Sequence, residues 1–311
     1  MIRKPEQSIC GNEPLSASGD IDSATQALFR KVKSVPANAE LMARVASLDL
    51  TVRVPNVPRV VIVPGAFHVE HPHTGAGGER VFDLARELGF PAERVPVPGL
   101  ASMARNAEAL VDLLSKRRGQ PIILVSLSKG GADVRTAMQR PDASSELRDV
   151  SAWVDISGMV YGTPLLTWLS SKTLRCLGVR LLLRLRRQCF ADLNELRGGP
   201  GSPLDSSFTP PPHIRVIHVL GFPLQRHLSN DWARRGHARL APLGPNDGGG
   251  ILLADALRLP GEVLPVWGAD HYLSPAWDIR PLLLRVLRES ARQIHQCTIQ
   301  PSATPAAIST E

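Results

Sequence analysis

The chain has 311 residues, 43% of them hydrophobic, 21% charged and 5% aromatic, with a formal net charge of +7. That suits one large α/β domain with an insertion, or two small domains, has apolar side chain enough for a sizeable core, and argues against a base-stacking nucleic-acid platform. Cys10, Cys176, Cys189 and Cys297 are far apart and form no CxxC pair, so neither a disulfide framework nor a structural zinc site is indicated.

The first nineteen residues are polar and without periodicity, and read as a tail. The opening "MIRKPEQSIC" carries basic residues but no apolar stretch after them, so a secretory leader is not expected. No run is long and uncharged enough to span a bilayer, and the cytoplasm is the expected compartment. Residues 20–34 and 38–48 have helical spacing, with Asp20 or Asp22 to cap the first. This gives a first unit, 1–56, of tail and helical extension.

From residue 57 strand and helix alternate. "RVVIV" (59–63) is a buried-strand run, 78–89 a helix, and "ERVPVP" (93–98) a strand shortened by its prolines. A helix over 101–117 leads to the strand "IILVS", followed by a helix over 129–139. "VSAWVDIS" (150–157), "IRVIHVL" (214–220) and "EVLPVW" (262–267) are further strands, and 278–296 a closing helix. Six strands with intervening helices predict crossover connections and a mostly parallel sheet. The main unit is therefore 57–297, and 298–311 reads as a disordered tail.

Too many residues separate the strands ending at Ser157 and starting at Ile214 for a simple crossover. An inserted helical cap over about 160–212 is predicted. Its stretch 163–190 is rich in leucine and holds Lys172, Arg175, Arg180, Arg184, Arg186 and Arg187 with no acidic residue.

Ligands of parallel α/β sheets collect beyond the carboxyl ends of the strands. At those ends stand "PGAFHVEHPHTGAGG" after the first strand, "SLSKGG" after the middle one, "GPNDGGG" (244–250) before the last, and "GADHYL" (268–273) after it. A serine, an aspartate and a histidine thus follow one another in chain order. Taken singly, Ser128 reads equally as a helix cap, "NDGG" as a surface turn, and a lone histidine as nothing in particular.

Together these segments resemble the α/β-hydrolase family, in its lipase- and esterase-like branch. The family's Gly-x-Ser-x-Gly elbow stands here as Ser126-Leu127-Ser128-Lys129-Gly130, with Ser126 in place of the first glycine. The resemblance implies Ser128 as nucleophile, Asp247 as the acid and His271 as the base. It implies an oxyanion hole of the Ala66 and Lys129 N–H groups, and no cofactor. The loop with Phe67 and His68, the elbow's Leu127, and Tyr161 at the entry to the cap would contact substrate. Asp231 and Asp255 are the rival acids. Asp155 lies inside a strand, and Asp270 adjoins the base. His68, Glu70, His71 and His73 have no common zinc spacing, so no metal is expected.

The expected activity is hydrolysis of carboxylic esters, lipophilic ones in particular, through an acyl-enzyme. The alternatives are a thioesterase or amidase with the same triad, or a non-catalytic protein of this fold that binds a ligand or partner. The expected partner is a small-molecule ester, with lipids among the candidates, and not a nucleic acid. For the cap, an acyl-binding face is preferred over peripheral membrane contact through its basic residues.

Overall fold

A computed structural model describes residues 20–49, 57–199, 201–272 and 280–299, the last five of these by backbone alone. The two tails inferred from sequence, 1–19 and most of 298–311, lie outside the described residues. The strands are β1 (Arg59–Val63), β2 (Ala92–Arg94), β3 (Ile122–Leu127), β4 (Val150–Ile156), β5 (Arg215–Phe222) and β6 (Glu262–Trp267). The helices are α1 (Ile21–Lys33), α2 (Pro36–Ser47), α3 (Glu79–Glu87), α4 (Met103–Ser115), α5 (Lys129–Met138), α6 (Ala143–Glu146), α7 (Leu165–Ser170), α8 (Thr173–Leu185), α9 (Phe190–Asn194), α10 (Asp231–Leu240) and α11 (Arg280–Ile299).

The six strands form one parallel sheet in the order β2-β1-β3-β4-β5-β6. Its central strands are mostly apolar because both faces are covered. Val60, Ile62, Ile123, Val125, Val154, Ile217 and Val219 face one layer, packed with residues of α2, α3 and α11. Val61, Val63, Leu124, Trp153 and Val216 face the other, packed with residues of α4 and α5. The two helices before the sheet also feed its core: Val32, Leu41 and Val45 are buried there.

Strand order reverses between β1 and β3. Chain leaving β1 turns to one side of the sheet and chain leaving β3 to the other, so a crevice opens above their paired carboxyl ends. The insertion between β4 and β5 carries α7, α8 and α9. Arg135, wholly buried on α5, fastens both of its ends: its guanidinium donates to the Val160, Leu204 and Ser206 carbonyls at 2.6, 2.8 and 2.7 Å.

Candidate active site

β3 passes into α5 through a single residue, Ser128, held at φ 50° and ψ −116°. A side chain at positive φ costs about 1–3 kcal/mol, and such strain persists only where its surroundings enforce it. Here the Ser128 N–H donates to the Ile156 carbonyl at 3.1 Å, while the Ser128 carbonyl accepts from Gly131 and Met159 N–H groups at 3.0 and 2.9 Å. Close approach then demands glycine on both sides. A methyl on Gly130 would overlap the Val63 carbonyl, and one on Gly65 would press on the Ser128 Cβ at 3.2 Å. The loop after β1 is therefore held directly against the elbow.

The base reaches Ser128 from the far side of the sheet. The His271 Nε2 lies 3.0 Å from the Ser128 Oγ, and its Nδ1 lies 2.6 Å from the Asp247 Oδ2. The other carboxylate oxygen, Oδ1, accepts from the Gly249, Gly250 and Ile251 N–H groups at 2.9, 3.0 and 3.0 Å. The Asp247 carbonyl also accepts the His271 N–H at 2.8 Å. One residue thus fixes both the ring and the main chain of the histidine. Gly249 completes the fit, because a methyl there would overlap the imidazole.

The electrostatics follow from this geometry. Burial alone would raise the Asp247 carboxyl, but the His271 charge, its hydrogen bond and the N–H groups of Ile251 and Gly249 outweigh it and hold it below the usual range. Burial alone would lower the His271 imidazole; the charge and hydrogen bond of Asp247, with smaller contributions from Asp270 and Asp155, raise it above its ordinary value.

The rival acids are engaged elsewhere. Asp231 pairs with Arg234 at 2.9 Å and Asp255 with Arg258 at 3.1 Å. The Asp270 Oδ2 accepts from the Ser229 N–H and hydroxyl at 2.8 and 2.6 Å, and its Oδ1 from the Tyr272 N–H at 3.1 Å.

Ala66 and Lys129 stand on the two sides of the crevice, and neither N–H donates to a backbone acceptor among the described residues. The Phe67 N–H is already committed to the Gly99 carbonyl at 2.6 Å, with Phe67 itself at φ 58°. The Lys129 side chain turns away into a buried pair with Asp133 at 2.5 Å, where Asn106 also donates to Asp133 at 2.9 Å. Burial pushes the Asp133 carboxyl up to about 6 against the charge of Lys129.

The His68 Nδ1 lies 3.0 Å from the Gly65 carbonyl, which keeps its ring on the mouth loop. Leu127 lines a small apolar cavity beside the elbow with Val81, Ile156, Tyr272 and Leu283. Burial, together with the Asp247 and Asp270 charges, pushes the Tyr272 hydroxyl up to about 12, so it stays neutral there. Tyr161 departs from the expectation of substrate contact. It is buried, its hydroxyl donates to the Arg258 carbonyl at 2.9 Å, and its ring lies under the Arg258 and Arg135 guanidinium groups. It anchors the root of the insertion. Among the described residues, no three His, Cys, Asp or Glu side chains are grouped to hold a metal.

One polar set was not anticipated. In register across three strands, Ser126, Asp155 and His218 are all buried on the α5 side of the sheet. The Ser126 hydroxyl donates to Asp155 at 2.6 Å and accepts from the Trp153 indole N–H at 2.8 Å. His218 bonds the other Asp155 oxygen at 2.9 Å and the Pro260 carbonyl at 3.1 Å. The hydroxyl, not merely the small size, of Ser126 is what this position uses.

No family model matches the sequence, and no curated protein matches it. Solved structures do. The metagenomic carboxyl esterase MGS0156 aligns over 89% of this chain and 92% of its own, with a TM-score of 0.56 and 18% identity. The mature form of the Bacillus licheniformis lipase BlEst2 aligns over 75% of this chain and 93% of its own, with a TM-score of 0.55 and 19% identity. The chain has the α/β-hydrolase fold. At these identities the likeness establishes the architecture, and function has to be argued from the site.

Proposed function

We propose that this chain is a serine hydrolase that cleaves carboxylic esters with lipophilic acyl groups. The observation that carries the reading is the continuous contact from Ser128 Oγ through His271 to Asp247, with the serine on a strained strand-to-helix turn. His271 takes the hydroxyl proton as Ser128 Oγ adds to the ester carbonyl carbon. The Ala66 and Lys129 N–H groups receive the oxyanion, each worth about 3 kcal/mol in the transition state. Because α5 begins at Lys129, its N-terminal dipole also favours that negative charge.

His271 then returns the proton to the leaving alkoxide and an acyl-enzyme remains. A water deprotonated by His271 attacks the acyl carbonyl, and collapse of that intermediate frees the acid and restores Ser128. Leu127 and Tyr272, next in the chain to Ser128 and His271, line a small apolar cavity, which supports apolar contact near the nucleophile but is too small to hold a whole acyl chain. The likeness to a carboxyl esterase and a lipase supports the same reading.

The test is labelling by a fluorophosphonate probe, which reacts only with an activated serine, together with turnover of p-nitrophenyl esters from acetate to palmitate. Wild type should label and should prefer longer acyl chains up to the size of its pocket, and Ser128→Ala should do neither. An unlabelled wild type would refute the catalytic reading. A flat chain-length profile would refute the lipophilic one.

A further inference from the structure

The insertion carries an apolar face with no described residue packed on it. α8 buries Leu183 and half-buries Cys176 and Val179 on one side. On the other, Leu174, Leu177, Leu181, Leu182 and Leu185 are exposed, from 47% at Leu182 to 86% at Leu174. At helical spacing these five leucines and Gly178 make one outward arc of roughly 140°. Leu182 and Leu185 face outward with the rest, so these leucines do not form the acyl-binding face expected of the cap.

Cations border the arc on both sides. Arg180 and Arg184 fall on one flank and Arg186 on the other, with Lys172 and Arg187 at the two ends, while the half-buried Arg175 turns its guanidinium inward onto the Trp168 carbonyl and ring. The whole stretch 163–190 has no acidic residue.

We propose that α8 docks this protein on an anionic lipid bilayer, its leucine arc in the boundary between headgroups and acyl chains and its arginines against the lipid phosphates. A helix with a wide apolar arc, cationic borders and no compensating acid has the chemistry that such a surface binds. Charge complementarity selects this occupant over a second copy of the chain. Two copies meeting along α8 would set arginine borders against arginine borders with no acid of that stretch between them.

The mouth of the site adjoins this face. Gln188, just past α8, donates to Glu70 of the loop after β1, next to the exposed Val69. The ring of His71 in the same loop lies 6.3 Å from that of the exposed Trp232, tilted by 46°. Docking by α8 would bring Val69 and Trp232 towards the same surface. The docking inference does not depend on the reading of Ser128, because binding is measured without turnover.

The experiment uses the full chain carrying Ser128→Ala, so that no lipid is consumed, and co-sedimentation with vesicles. One set is phosphatidylcholine alone and the other includes phosphatidylglycerol, each at low and high salt. The protein should sediment with the phosphatidylglycerol vesicles and be released by salt. Combined Arg180→Gln, Arg184→Gln and Arg186→Gln should weaken binding on the order of a hundredfold. Combined Leu177→Ser, Leu181→Ser and Leu185→Ser should weaken it at least roughly tenfold. All six residues are exposed, and unchanged thermal melting would confirm intact folding. Failure to bind anionic vesicles, equal binding to both vesicle types, or variants that bind like the parent would each overturn the proposal. So would a stable dimer in solution that the leucine variant dissolves, since the arc would then belong to a second copy.

Discussion

Replacing Asp247 by Asn tests the assignment of the acid at fixed shape. The structure fixes which way the amide must sit. Three N–H groups converge on Oδ1, so the amide oxygen stays there and the NH2 turns towards the His271 Nδ1. The ring then carries its proton on Nε2 and presents a donor, not an acceptor, to the Ser128 Oγ. The imidazolium formed during attack also loses a neighbouring charge. At an effective dielectric of about 20 and a charge separation of about 4 Å that loss is ~4 kcal/mol, or about three orders of magnitude in rate. With the wrong tautomer added, kcat should fall about 10⁴-fold. The assay is p-nitrophenyl butyrate turnover per mole of folded protein, with folding checked by circular dichroism. Retention of more than about a tenth of the activity would refute the argument, as would a larger loss from Asp155→Asn or Asp255→Asn.

The pH profile has a definite sign. Asp247 raises the His271 imidazole, and only the neutral ring acts as base. So kcat/KM for a neutral ester should rise with a midpoint above the ordinary value of about 6.5, whereas in Asp247→Asn any residual activity should titrate below it, because burial then dominates. The linked stability of that pair should be complete only between the unfolded-chain values, about 3.9 for the aspartate and about 6.5 for the histidine, and lost as pH rises on through the raised value of folded His271 and as it falls on through the lowered value of folded Asp247. Gly249→Ala should remove fluorophosphonate labelling while the fold melts cooperatively, because the added methyl displaces the imidazole; a labelled variant would show that the loop adapts. Ser126→Ala should keep activity within about tenfold yet cost about 1–3 kcal/mol, since the Trp153 indole and Asp155 each lose a buried partner; an inactive but folded protein would place Ser126 in the chemistry. Arg135→Met should destabilise by about 1–3 kcal/mol and open 160–212 to limited proteolysis before the rest, and an unchanged melting curve would show that its three carbonyls find other donors.

The parts legible in the sequence were those whose physics is local. β3 and β4 are legible because strands covered on both faces are mostly apolar, as in the run 122–125. The elbow is legible because a positive-φ serine must be flanked by small residues wherever backbone passes close, and Gly130 does stand against the Val63 carbonyl. α10 escaped notice because it is polar on most faces and buries only Ala233, Gly236, His237 and Leu240. Its start was nevertheless written in Asn230, whose side chain accepts from the Ala233 N–H at 2.9 Å. β2 came out shorter than the run 93–98 suggested, ending before Pro96 and Pro98. The Ser126, Asp155 and His218 set was not legible at all. Its members are far apart in sequence, and only the register of three strands makes them neighbours.

That register also keeps Asp155 off the imidazole, although three buried carboxylates, Asp247, Asp270 and Asp155, act on it and only Asp247 is bonded to it. Asp155 points to the α5 face of β4, where Ser126 and His218 occupy its two oxygens. It acts on His271 only through its field, which adds to the rise in basicity. The base itself starts beyond β6, three strand spacings from β3, or about 14 Å at ~4.8 Å per strand. Its loop has to run back across the carboxyl edge of the sheet. Gly221 at the end of β5 makes the passage, for a methyl there would overlap the Ala269 carbonyl. A histidine delivered along that route arrives with its Nδ1 facing the loop before β6, not the sheet below. Its carboxylate partner comes from that loop, and the Gly-rich turn after Asp247 supplies the three N–H groups that let a buried carboxylate stay charged there.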